Sequence, residues 1–127
     1  MSVLVDTSVW SAHFRSYSSA LVHLIAHDQA LTHPMILLEL ACGTPLAPRQ
    51  QTLHDLGLLR QSTQVSLHEV AALIAREKLY GLGCGLVDMV LLGSTLLTPD
   101  ASLWTLDKHL ASLARRFAVL HPAAELH

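Results

Sequence analysis

Paired cysteines are missing from this sequence, which contains only Cys42 and Cys84 and no Cys-x-x-Cys spacing. Nothing in that pattern indicates a disulfide framework or a zinc ribbon, and isolated cysteines are expected to be buried thiols in a reducing compartment. An export signal is also lacking, because the apolar residues at the N-terminus are interrupted by Asp6 and carry no basic residues before them. We therefore expect a cytoplasmic protein.

Long apolar runs and an excess of positive charge are absent as well. The longest apolar run, residues 86–97, contains an aspartate and is too short to span a bilayer, so we expect no membrane association. Lys and Arg number 8 against 10 Asp and Glu, which gives a net charge of -2 and no basic footprint of the usual nucleic-acid-binding kind. If four of those acids form a metal site, the remaining surface is mildly basic, so nucleic-acid binding stays open.

What the chain does have is apolar residues, at 51% of 127 residues with a mean hydropathy of +0.41. The length is that of one domain, residues 1–127, with a single core. The apolar fraction is high for such a domain, so we expect a partner to cover part of the surface. The helices near the N-terminus carry more apolar residues than one core needs, namely Val9, Trp10, Phe14, Leu21 and Leu24. We expect part of this set to line a groove or dimer face for a partner, and ordinary core packing is the alternative.

Strand and helix signals alternate along the chain. The predicted strands are residues 2–5, 31–32, 103–105 and 118–120. The predicted helices are residues 7–14, 18–27, 34–43, 48–56, 67–80, 86–97 and 108–116. This alternation predicts an α/β fold with a parallel sheet and helices on both of its faces.

Four carboxylates lie where an apolar element ends or where helix packing normally excludes a charge. Asp6 and Asp107 follow predicted strands, Asp88 lies in the first turn of an apolar helix, and Glu39 interrupts an apolar helix face. Sites in open α/β sheets form beyond the carboxyl ends of the strands. Buried carboxylates are costly unless a cation meets them, so their convergence predicts a hard divalent metal and metal-assisted chemistry on phosphate.

Each acid also has a purely structural interpretation. Asp6 and Asp107 are placed as helix N-caps, and Asp88 is placed to interact with its helix dipole. Glu39 is harder to explain in this way, because its neighbours one turn away are Met35, Ile36, Cys42 and Gly43 and none of them is charged.

Four segments together resemble the motifs of PIN-domain nucleases, and in particular the VapC-type toxins. Residues 3–10 (Val-Leu-Val-Asp-Thr-Ser-Val-Trp) resemble the first motif, and residues 39–43 (Glu-Leu-Ala-Cys-Gly) the second. Residues 83–94, with Val-Asp followed by Leu-Leu-Gly-Ser, resemble the third, and residues 103–110 (Leu-Trp-Thr-Leu-Asp-Lys-His-Leu) the fourth. Any one of these patterns is weak, but together, in this order, they are specific.

The resemblance implies a three-layer α/β/α fold with a central parallel sheet of about five strands. It further implies a Mg²⁺- or Mn²⁺-dependent ribonuclease that is a bacterial or archaeal toxin, usually dimeric, and inhibited by a cognate antitoxin. In this sequence the implied acidic cluster is Asp6, Glu39, Asp88 and Asp107, with Asp6 and Asp88 as direct ligands and the other two direct or through water. Ser8 and Thr105 match polar positions of the motifs, where they would orient ligands or bind phosphate.

The sequence departs from the family pattern around the third motif. Members of this group often have a basic residue in the glycine turn and an aromatic residue just before Val-Asp, where this chain has Leu82 and Leu86. Neither position is a metal ligand, so the departure concerns the binding of RNA rather than its cleavage. Basic residues that remain available for phosphate contacts are Arg49, Lys108, Arg115 and Arg116.

Two alternatives belong to other functional classes. One is a catalytically inactive PIN-like scaffold that only binds partners, which the loss of an acid would mark, and none of the four is lost. The other is a phosphoacceptor receiver-like domain, which needs neighbouring acids after its first strand. Here Asp6 is followed by Thr7, so the sequence disfavours that class.

Overall fold

The computed structural model describes residues 1–122, which form a parallel sheet flanked by helices. The strands are β1 (Ser2–Val5), β2 (Ala30–Thr32), β3 (Arg60–Gln61) and β4 (Ala101–Trp104). The helices are α1 (Thr7–Arg15), α2 (Ser19–Ala26), α3 (Pro34–Cys42), α4 (Arg49–Gly57), α5 (Leu67–Glu77), α6 (Leu86–Leu97) and α7 (Lys108–Arg116). This arrangement confirms the α/β fold class and agrees with a three-layer architecture.

The strands lie in the order β3-β2-β1-β4, and every neighbouring pair is parallel. In the central pair, Val5 of β1 is opposite Trp104 of β4. Val3, Leu4 and Val5 are fully buried, as expected for a strand covered on both faces. Because β1 and β4 are parallel and end in register, the residues that follow them meet at one edge of the sheet.

The strand count differs from the expected number of about five. Residues 118–120 form no strand, because Ala118 has a φ of 59° and only Leu120 makes an isolated bridge, to Leu103. β3 was not predicted, since it consists of Arg60 and Gln61, two exposed polar residues with no apolar pattern to mark them.

The apolar residues of the N-terminal helices form core rather than a docking face. Val9, Trp10, Leu21 and Leu24 are at most 5% exposed, and Phe14 packs against them. The expectation that part of this set lines a partner face is therefore wrong for these four residues, because the two short helices use them to cover the sheet, whereas Phe14 is only partly buried.

Two further expectations concern the cysteines and the membrane. Cys42 is exposed at the end of α3 and Cys84 is half-buried, so the expectation that both thiols are buried is wrong. Both thiols are free, as the sequence predicts. Within residues 1–122 no helix combines the length and the apolar character needed to cross a bilayer.

Candidate functional site

Asp6 lies at the carboxyl end of β1 and is held there from β4. Its backbone N–H donates to the carbonyl of Trp104 at 2.9 Å. Its side chain is only 6% exposed and does not cap α1, although Asp6 is the N-cap residue. Instead, Oδ2 accepts the hydroxyl of Ser8 at 2.7 Å and that of Thr105 at 2.8 Å. The interpretation of the Asp6 side chain as a helix cap is therefore wrong.

Ser8 and Thr105 form a bridge between the ends of β1 and β4. Ser8 Oγ accepts the backbone N–H of Leu106 at 3.0 Å, and Thr105 Oγ1 accepts that of Asp107 at 3.1 Å. Each hydroxyl proton is directed to Asp6, so the 3.4 Å approach between the two hydroxyl oxygens has no proton to share. The bridge fixes the Asp6 carboxylate and brings the Asp107 backbone to the same edge of the sheet.

Glu39 extends from α3 towards the start of α1. Its Oε1 accepts a hydrogen bond from the Thr7 hydroxyl at 2.7 Å, which links α3 to the first residue of α1. The side chain is exposed, so α3 presents Glu39 to solvent at the sheet edge rather than burying it among its apolar neighbours. The role of Thr7 was missed from the sequence, where it appears only as a residue at the start of a helix.

Asp88 lies half-buried in the first turn of α6. Its Oδ2 accepts the backbone N–H of Gly85 at 3.2 Å, as an acid in a first helical turn often does. Its pKa is nevertheless raised above the usual value, mainly by burial and then by the negative charges of Asp6, Asp107 and Glu39. The Gly85 N–H opposes this shift without cancelling it. Three acids from three other parts of the chain therefore act electrostatically on Asp88.

Asp107 is both a helix cap and a member of this group of acids. Oδ1 accepts the N–H of Leu110 at 2.9 Å, which caps α7, and this confirms the structural interpretation of the residue. Capping does not remove it from the site, because its charge also raises the pKa of Asp88.

The glycine turn before α6 adds Cys84 to the surroundings of the acids. The pKa of the Cys84 thiol is raised by burial, and the charges of Asp88 and Asp107 raise it further. Both effects favour the protonated form of the thiol. No sequence signal indicated that this cysteine lies near the acids.

A divalent cation that prefers oxygen fits this group of side chains. The nearest donors are carboxylates and hydroxyls. The pKa of Asp88 is raised by burial first and then by neighbouring negative charge, which a cation would neutralise. Within residues 1–122, no three His, Cys, Asp or Glu side chains are already arranged as a complete ligand set. Mg²⁺ retains several waters and needs only one or two protein carboxylates, so it does not require such a set.

Comparison with known proteins matches most of the chain to one family. A family model described as "PIN domain" matches residues 3–116, a range that contains all four acids. Two curated proteins named Ribonuclease VapC32, from the CDC 1551 and H37Rv strains of Mycobacterium tuberculosis, are each 44% identical to this chain over 108 residues. The matched stretch covers 85% of this chain and 86% of each relative.

Proposed function

Because the chain belongs to the PIN-domain family, we propose that it is a metal-dependent endoribonuclease that acts as the toxin of a toxin–antitoxin pair. One observation carries the proposal: the carboxylates of Asp6, Asp107 and Glu39, from three other parts of the chain, lie close enough to Asp88 to disfavour its charge, at the carboxyl edge of a parallel sheet. The reaction is hydrolysis of an RNA phosphodiester bond. The acids Asp6, Glu39, Asp88 and Asp107 are assigned to catalysis and metal binding.

The four acids take different parts in this proposal. Asp6 and Asp88 are assigned as direct ligands of Mg²⁺ or Mn²⁺, and Glu39 and Asp107 bind directly or through water. Ser8 and Thr105 hold Oδ2 of Asp6, so this carboxylate is oriented before a cation arrives. When bound, the cation would lower the pKa of a coordinated water and stabilise the charge that develops on the phosphate.

The raised pKa of Asp88 has a direct consequence for cation binding. A carboxylate must be ionised to bind a metal, and burial together with three neighbouring charges makes ionisation harder here. The repulsion between these negative charges also favours cation binding, because a bound cation would neutralise part of it. Metal affinity should therefore fall as the pH decreases through the Asp88 pKa.

The proposed partners are an RNA substrate, a cognate antitoxin protein and a second copy of the chain, in a bacterial or archaeal cytoplasm. Their support is the identity to a protein named as a VapC ribonuclease, together with the exposed leucines of the surface. Leu38, Leu58 and Leu67 are each more than 60% exposed, so a partner that covers them would remove apolar surface from water.

The test of catalysis is Asp88→Asn. The purified parent should cleave total bacterial RNA with Mg²⁺ or Mn²⁺, and EDTA should stop the reaction. Asn retains an oxygen that can accept the Gly85 N–H, so the start of α6 is kept while a charged ligand is lost. The rate should fall by about 10²-fold or more, in the range seen for loss of one group that stabilises transition-state charge, as measured by single-turnover cleavage.

Asp100→Asn is the matched control, since it removes the same charge at the opposite edge of the sheet, just before β4. Asp100 is exposed and pairs only with the N-terminal amine among residues 1–122. This variant should cleave like the parent. If Asp88→Asn also cleaves like the parent, the acidic site is wrongly assigned. If the parent is inactive with every divalent metal, the alternative of an inactive PIN scaffold is favoured.

A further inference from the structure

A cleft of about 490 Å³ opens directly beside the acidic site. It begins at Thr7 and Glu39, the hydrogen-bonded pair described above, and runs along α1. Its other wall is the loop after α3, residues 43–47. The cleft is therefore continuous with the group of acids rather than a separate cavity.

One face of α1 supplies hydrogen-bond donors along the length of this cleft. Thr7, Ser11 and Arg15 are spaced four residues apart, so they lie above one another on the same side of the helix. The Thr7 side chain is hydrogen-bonded to Glu39, whereas the side chains of Ser11 and Arg15 make no hydrogen bond or ion pair within residues 1–122. The stripe runs for about 12 Å, at 1.5 Å per residue, and ends at an exposed guanidinium.

Side chains of α4 hold the end of α3 and the facing loop in place. Arg49 donates to the carbonyl of Ala41 at 2.9 Å, and Thr52 donates to that of Leu46 at 2.8 Å. Arg49, which the sequence offered as a phosphate contact, therefore has a structural bond. Thr44 on this loop adds a hydroxyl to the cleft that is unpaired in the described part of the chain.

We propose that this cleft is a subsite for the RNA backbone, in which Arg15 binds a phosphate further along the strand from the scissile one and Ser11 and Thr44 donate further hydrogen bonds. The inference rests on the proposed ribonuclease function. Substrate RNA is repelled by four carboxylates wherever a cation does not neutralise them, so a fixed positive charge beside the acids has a clear purpose. A planar guanidinium is well suited to bidentate phosphate binding.

The subsite also offers a replacement for the basic residue that the glycine turn lacks. The glycine turn has Leu82 where relatives often have a basic residue, and Leu82 is 41% exposed. Arg15 supplies a cation to the cleft that begins at Glu39, at a position outside the first motif segment. RNA is favoured over an acidic protein partner because the donor stripe starts at the acids where the scissile phosphate must bind.

The test is Arg15→Gln, with RNA affinity measured in the slowly cleaving Asp88→Asn background. The probe is a fluorescein-labelled pool of random single-stranded RNA, followed by anisotropy at several salt concentrations. Arg15→Gln should weaken binding about tenfold, as for loss of one charge-assisted contact. The slope of log affinity against log salt should become shallower by about 0.7, the value for one phosphate contact with a single strand. Arg15→Lys, which keeps the charge, should retain the parent slope.

Arg76→Gln is the matched control, because Arg76 is exposed on α5 and lines a different cleft. It should leave the affinity and the salt slope unchanged. An Arg15→Gln variant with parental affinity and slope would overturn the subsite while leaving RNA cleavage by the parent intact. Loss of antitoxin binding alone, with RNA affinity unchanged, would also overturn it and would assign Arg15 to the protein partner. A parent that neither cleaves nor binds RNA would overturn the proposed function together with the subsite.

Discussion

Asp6 and Asp107 both follow a strand and precede a helix, but their side chains act differently. Asp107 caps its helix through Leu110, whereas Asp6 accepts two hydroxyl groups and caps nothing. The sequence predicted both as site residues and both as possible caps, and it could not separate the two cases. The difference is set by Thr105, which reaches Asp6 only because β4 pairs with β1 in the folded chain.

His33 shows a similar dependence on folding at the end of β2. The ring is 4% exposed and caps α3, with Nδ1 accepting the N–H of Met35 at 3.0 Å. This geometry requires neutral Nδ1, because a protonated nitrogen cannot accept a hydrogen bond. Burial accordingly lowers the pKa of His33 below its ordinary value of 6.5.

The lowered His33 pKa predicts loss of stability in mild acid. Below pH 6.5 the unfolded chain takes up a proton that folded His33 resists, so the free energy of unfolding falls as the pH decreases from 6.5 towards the folded pKa. His33→Asn should reduce this dependence, because Asn caps helices well and does not titrate. Melting temperatures from pH 7.5 to 5 compare the slopes of the two proteins. Burial lowers the His121 pKa as well, so some slope should remain. Equal slopes would show that His33 does not contribute.

At the level of elements, the glycine turn before α6 places Asp88 and is itself built tightly. Gly83 has a φ of 84°, a conformation that favours glycine. A Cβ added at this position would lie 3.1 Å from Nδ1 of His109, on α7. The turn before α6, the helix of Asp88, thus packs closely against α7, the helix that Asp107 caps.

Gly83→Ala should therefore lower the melting temperature by several degrees, since a left-handed conformation costs a residue with a Cβ about 1–2 kcal/mol. Gly57→Ala is the control. Gly57 is the last residue of α4 and has open space around it, so alanine there should leave the melting temperature unchanged or raise it slightly. Equal effects of the two substitutions in thermal melts would mean that the turn at Gly83 is not under conformational constraint.

Elements with a strong local signal were predicted well, and those without one were not. Ser66 and Glu69 form the expected capping box, and the helix they begin is α5. That helix ends at Glu77, with Lys78 in a left-handed conformation, rather than at the expected residue 80. β3 carries no apolar pattern, so only its pairing with β2 defines it as a strand.

At the scale of the whole molecule, the acids at one edge of the sheet and the basic Arg15 are joined by one cleft. The acids could be located from the sequence because each follows or interrupts an apolar segment. Arg15 could not, because a basic residue near the end of an amphipathic helix is usually only solvated. Its place in the same cleft as Glu39 depends on the packing of α1 against α3, a long-range contact that no local pattern encodes.

The central claim is that the four acids form one metal site, and the most direct test is a comparison of thermal melts with EDTA and with excess Mn²⁺. In the parent, a metal that binds only the folded state should add about 2.7 kcal/mol at 100 times its dissociation constant. Asp88→Asn should melt higher than the parent in EDTA at neutral pH, because burial and three neighbouring charges disfavour the ionised carboxylate. Its melting temperature should also rise clearly less than that of the parent when Mn²⁺ is added. If Mn²⁺ raises the melting temperature of Asp88→Asn as much as that of the parent, the claim is contradicted.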